Sequence, residues 1–78
     1  MDLHEAIKYR ILKLCNERNI TINKLATLAG IAQSTVNSLV DGKSKNSTLL
    51  TILRICLGLN IDFKEFFNDS VFSDLDDE

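Results

Sequence analysis

Residues 26–42 read ATLAGIAQSTVNSLVDG, two short helical patterns divided by Gly30 and closed by Gly42. The spacing of Ala26, Gly30, Val36 and Leu39 suits two helices crossing at about 90–120° over a tight turn. Ala26 is small where the second helix presses on the first. Gly30 can take the positive φ that stops one helix and redirects the chain, a conformation costly for other residues. Val36, Leu39 and Val40 share the face that fills the angle between the helices. The other face carries Gln33, Ser34, Asn37 and Ser38, amides and hydroxyls without charge. A helix that needs only solubility is usually dressed in Lys and Glu. This one is dressed for hydrogen bonding.

Outward from this corner the pattern stays helical. A first helix is expected from Leu3 to Arg18, with Ile7, Ile11, Leu14 and Cys15 as its buried stripe. Lys8, Arg10, Lys13 and Arg18 fall to its solvated surface, as does His4 near its start. Thr21 can cap the second helix, which ends at Ala29, and Ile20 and Leu25 have the spacing of a hydrophobic staple. The third helix runs from Gln33 to Asp41. The fourth, Leu49 to Leu59 behind Thr48, is expected to bury Leu49, Ile52, Leu53 and Cys56. Asn60 stands where a C-terminal glycine is common. The fifth begins at Asp62, with Glu65 completing a capping box and Ile61 spaced to staple to Phe66. The fold class is therefore all-α: a compact five-helix domain over residues 1–68, followed by an acidic C-terminal tail over 69–78.

Composition agrees and excludes much else. The chain has 78 residues, 45% of them hydrophobic, with no Pro and three Gly, which suits one small helical domain better than a sheet. The net charge of −2 hides an uneven distribution. Residues 69–78 hold Asp69, Asp74, Asp76, Asp77 and Glu78 and no base, which leaves nine basic against six acidic side chains elsewhere, a net of +3. Cys15 and Cys56 sit in apolar helical patterns and read as reduced core residues. No apolar run approaches a membrane span, and the N-terminal stretch lacks a signal peptide's apolar segment, so a cytoplasmic protein is expected. No Cys/His set has metal spacing, and no nucleophile stands beside an activating base. Neither a cofactor nor catalysis is expected.

The stretches ITINKLATLAGIAQSTVNSLVDGKSKN (20–46) and LLTILRICLGLNIDFKEFF (49–67) resemble the phage-repressor-like (Xre, or Cro/cI type) helix-turn-helix domain, over roughly residues 7–67. The resemblance implies a five-helix lambda-repressor-like DNA-binding domain whose helix-turn-helix is helices 2 and 3. It implies a small transcriptional regulator, usually a repressor, of a bacterium, phage or mobile element. This chain departs from the pattern at Ala32, where a capping Ser or Thr is common, at Ser47, where Pro is frequent, and at Leu50 and Leu57, which replace polar residues.

In that architecture helix 3 lies in the major groove, where each base pair displays its own donor and acceptor pattern. Gln33, Ser34, Asn37 and Ser38 are then the base-contacting candidates, with Gln33 suited to a bidentate contact to adenine. Thr35, more to the side, falls to a phosphate or a thymine methyl. Lys43, Ser44, Lys45 and Asn46 form a basic polar loop after the helix, and Thr21, Asn23 and Lys24 stand at the N-terminus of helix 2, a natural phosphate site. The expected partner is double-stranded DNA, as a palindromic operator bound by a homodimer. Leu50 and Leu57, seven apart, offer a dimer surface together with Val71, Phe72 and Leu75 of the tail. The alternative is a protein-interaction module on the same fold, an antirepressor or antitoxin-like partner.

Overall fold

In the computed structural model, which describes residues 1–41 and 48–76, helices start where the sequence supplies a side-chain acceptor. Asp2 Oδ1 accepts the Glu5 N–H at 2.8 Å at the head of α1 (Leu3–Glu17). Thr21 Oγ1 accepts from Lys24 at 3.0 Å at α2 (Ile22–Ala29). Thr48 Oγ1 accepts from Thr51 at 3.1 Å at α4 (Leu49–Leu59), and Asp62 Oδ1 from Glu65 at 2.8 Å at α5 (Phe63–Phe67). Each such cap contributes about 1 kcal/mol. The exception is α3 (Gln33–Asp41). It begins on the Ala32 carbonyl, which accepts from Thr35 at 3.0 Å and Val36 at 3.4 Å, and alanine has no side chain to cap with.

Three helices stop by one device. Asn19, Gly30 and Asn60 take left-handed backbone, with φ of 54°, 67° and 58°. Each is followed by isoleucine. The N–H groups of Ile20, Ile31 and Ile61 donate back to the carbonyls of Cys15, Ala26 and Cys56 at 3.0, 3.1 and 2.9 Å, satisfying acceptors the helix end leaves open. All three isoleucines pack on the core. α1 accordingly ends at Glu17, one residue before the expected Arg18.

α2 packs against both α3 and α4, α1 against α3, and α4 against α5. Ile7, Ile11, Leu14, Cys15, Leu25, Ala26, Val36, Leu39 and Phe66 meet in one core, with Cys15 and Cys56 as buried free thiols. On α4 the buried residues are Ile52, Ile55, Cys56 and Leu59, whereas Leu49 and Leu53, expected inside, are exposed. The reason is phase. Leucine and isoleucine surround most of α4, so apolar spacing alone does not say which side turns inward. Gly58 does: a Cβ there would lie 2.7 Å from the Leu28 carbonyl carbon and 2.8 Å from the Ala29 nitrogen. α4 therefore presses its backbone on the end of α2.

The largest departure from expectation is Arg10, which is only 7% exposed. Its Nε donates to the Phe66 carbonyl at 2.6 Å and its Nη2 to the Glu65 carbonyl at 2.8 Å. Its Nη1 faces Asp69 Oδ2 at 3.4 Å, and Lys13 Nζ reaches the same oxygen at 2.8 Å. The other carboxylate oxygen, Oδ1, accepts from Val71 N–H at 2.9 Å and caps a 3₁₀ helix over Ser70–Ser73. One arginine thus holds the last carbonyls of α5 and the residue that starts the next turn. Burial of a full charge is tolerable because every direction of the fork finds an acceptor.

That turn seats Phe72 on the chain's own aromatic cluster, with ring centroids 4.9 Å from Phe67 and 6.2 Å from Phe66. Phe72 does not reach Leu50 and Leu57, which stay exposed. Asp76 ties the segment to Met1, its carboxylate 3.2 Å from the amine and its N–H 3.0 Å from the Met1 carbonyl. His4, expected on the surface, is partly buried, with both ring nitrogens enclosed and without a hydrogen-bond partner among the described residues.

Candidate nucleic-acid interface

The α2–α3 corner is built as its spacing requires. Ala26 is buried between the helices, Gly30 turns the chain, and Val36 and Leu39 fill the angle, fully or almost fully enclosed. With those two side chains locked inside, the rotation of α3 about its axis is set. Gln33, Ser34 and Thr35 then stand exposed on its first turn, while Asn37 and Ser38, one turn on, are partly buried. The helix therefore presents its N-terminal end most openly. This is the end a groove-reading helix presents to base edges.

On the other arm of the corner, Thr21, Asn23 and Lys24 are exposed at the start of α2. The Thr21 oxygen is engaged as a cap, which leaves its hydroxyl hydrogen free to donate outward. The Asn23 carbonyl accepts from the Thr27 hydroxyl at 3.1 Å, which steadies this first turn. Among the described candidates Lys24 is the one cation. Such a set, N–H groups at a helix start with a hydroxyl, an amide and an ammonium, is suited to an oxyanion such as a phosphate. Lys43, Ser44, Lys45 and Asn46 lie outside the described residues.

The supports of this surface include residues the sequence pattern did not mark. Gly58 holds α4 against the last residues of α2, just before the Gly30 turn. Arg10 and Asp69 fix α1, which packs on α3. A signal for Arg10 existed, since it shares a face with Ile7, Ile11 and Leu14. Asp69 gave none, because its partners are 56 and 59 residues away.

A comparison with known proteins bears on this surface. The profile of the Cro/C1-type HTH DNA-binding domain matches residues 10–70. Among solved structures, the prophage Lp1 protein 11 is similar, with 37% sequence identity, a TM-score of 0.82, and coverage of 96% of this chain and 100% of that one. No curated protein matches. The match spans both arms of the corner and the helices that brace it, so the chain belongs to the Cro/C1-type helix-turn-helix DNA-binding domain family.

Proposed function

We propose that this domain is a sequence-specific transcriptional regulator, acting as a repressor by occupying a promoter, and that α3 reads the major groove. The observation that carries the reading is the exposed, uncharged turn Gln33–Thr35 on a helix whose orientation Val36 and Leu39 fix. Gln33, Ser34, Asn37 and Ser38 contact bases, Gln33 as a bidentate partner of adenine. Thr21, Asn23, Lys24 and Thr35 hold the phosphate backbone, as do Lys43, Ser44, Lys45 and Asn46. Two copies on a palindromic operator would set their recognition helices about 34 Å apart.

Selection of bound genomic fragments at physiological salt, with wild type and Gln33→Ala in parallel, tests this. An enriched palindromic motif is expected for the wild type. Gln33→Ala should cost about 1–3 kcal/mol on it and relax one position, whereas Lys45→Ala should weaken all sequences alike and reduce the salt slope by about one. Equal weakening of all sequences by both would sink the division of roles. No enrichment from a folded chain would favour the protein-interaction module instead, a reading supported by the exposed leucines of α4.

A further inference from the structure

The polar side of α3 does not end at Ser38. Residues spaced i, i+4, i+7 share one face of a helix, so the side opposite the buried Val36 and Leu39 carries Ser34, Ser38 and Asp41. Asp41 is exposed and is the only charged residue of α3. Helix stability argues against a carboxylate there. It meets the negative end of the helix dipole, which disfavours an anion, and no basic residue stands in the last turn to offset it. It also closes a face whose other members are neutral amides and hydroxyls.

α3 has nine residues, a length of about 13 Å. The major groove is about 12 Å wide, so a helix this short keeps its last turn near the phosphate walls while its first turn meets bases. A carboxylate in that place is repelled by both strands whatever their sequence. The base edges then decide whether anything offsets the repulsion. Guanine and thymine present acceptors and no donor, and adenine sets the acceptor N7 beside its amino group. Cytosine offers its N4 amino group with no acceptor on the same edge. An anion therefore loses on three bases and gains a hydrogen bond on one. Specificity of this kind comes from a penalty on the wrong partners as much as from a contact with the right one.

We propose that Asp41 is a specificity-determining residue, accepting a hydrogen bond from a cytosine N4 amino group and penalising the other bases at that position. The proposal rests on α3 as the base-reading helix and adds a second reader at its far end. Gln33 and Asp41 are about 12 Å apart along the axis, three to four base-pair steps of about 3.4 Å. The two residues thus govern different positions of one site.

Selection from a random duplex library at physiological salt tests it, with wild type, Asp41→Asn, Asp41→Ala and Gln33→Ala in parallel. The wild-type motif should contain a cytosine, preferred about fivefold or more, that Gln33→Ala leaves in place. Asp41→Asn should turn that preference towards adenine, whose N6 and N7 suit a side-chain amide. Asp41→Ala should erase it. Both variants should bind a duplex without the motif about threefold more tightly at low salt, a gain that fades as salt is raised. Thermal melts check folding, and relief of the dipole clash should leave both at least as stable as the wild type.

A motif identical in the wild type and both Asp41 variants overturns the proposal and leaves base reading by α3 standing. That holds even where non-specific binding rises, since the carboxylate would then only repel. Loss of the whole motif in a folded Asp41→Asn also overturns it, because one reader governs one position. No motif from the folded wild type overturns this proposal together with base reading itself.

Discussion

Around Gly58 two helices meet backbone to backbone, with only a hydrogen between α4 and the end of α2. Around Arg10 two helices meet through a guanidinium that fills the gap and satisfies the carbonyls facing it. The first junction depends on an atom being absent, the second on a charge being present. A close approach of this kind fails when volume is added and is indifferent to pH. The charged junction fails when the side chain is removed and weakens in acid. The fold therefore has two different points of failure around one core.

The sharpest way to break the contrast is Arg10→Ala. It strips donors from the Phe66 and Glu65 carbonyls and leaves Asp69 with Lys13 alone among its cations. A loss of about 3–5 kcal/mol is expected by chemical denaturation, the range for breaking a buried pair by removing one partner. A loss below 1 kcal/mol would mean that water replaces the guanidinium without penalty. Gly58→Ala should cost about 1–3 kcal/mol, although Ala is the better helix former by about 1 kcal/mol, because the crowding atoms are backbone and cannot rotate aside. Gly30→Ala should cost about 1 kcal/mol, and by strain alone, since no atom lies within 4 Å of its Cβ position. Gly30→Asn should recover part of that loss, as Asn19 and Asn60 already hold the same conformation.

Acid sharpens the comparison with the smallest effect. The Lys13 ammonium, the Val71 N–H and the nearby Arg10 hold the Asp69 carboxyl below its ordinary value of 3.8, against the opposing pull of burial. A carboxyl depressed in the folded state stabilises above its unfolded-state pKa, and that stability is lost as pH falls through the folded one. Thermal unfolding should therefore drop below about pH 4, and Asp69→Asn should flatten that part of the profile. An unaltered acid limb in the variant would place the acid sensitivity at another carboxylate.

What was legible in the sequence follows the same division. Thr21, Thr48 and Asp62 as caps, and Gly30 and Asn60 as stops, act on neighbours three to five residues away, so a local pattern reveals them. The Ala26–Leu39 corner was readable because small, flexible and branched residues each have a distinct task there. Asn19 is as local as Gly30, yet an asparagine marks the left-handed turn less plainly than a glycine. The inward side of α4 was not readable, because its leucines are chemically alike and Gly58 decides between faces only through contact with another helix. Arg10 looked like a solvated cation because its acceptors are carbonyls, present at every residue and visible in none. The DNA-contact candidates on α2 and α3 lie on the two arms of one corner. The order of exposure along α3, open first turn and half-covered second, came only with the packing.

The three left-handed turns and the arginine junction also differ in when they can form. Each turn closes a hydrogen-bonded loop of six residues, from Cys15 to Ile20, Ala26 to Ile31 and Cys56 to Ile61, so it can appear with its own helix and before any tertiary contact. The arginine's contacts span 55 to 59 residues. They require most of the chain to be gathered first, at a far larger loop-closure entropy than the turns. α5 has five residues, too few to persist alone, so its order waits on Arg10. Assembly of this domain thus ends at α5 and the 3₁₀ turn, and spontaneous opening begins there. Amide hydrogens of residues 66–72 should exchange ahead of those in the α2–α3 corner, which leaves that corner folded while α5 and the 3₁₀ turn breathe.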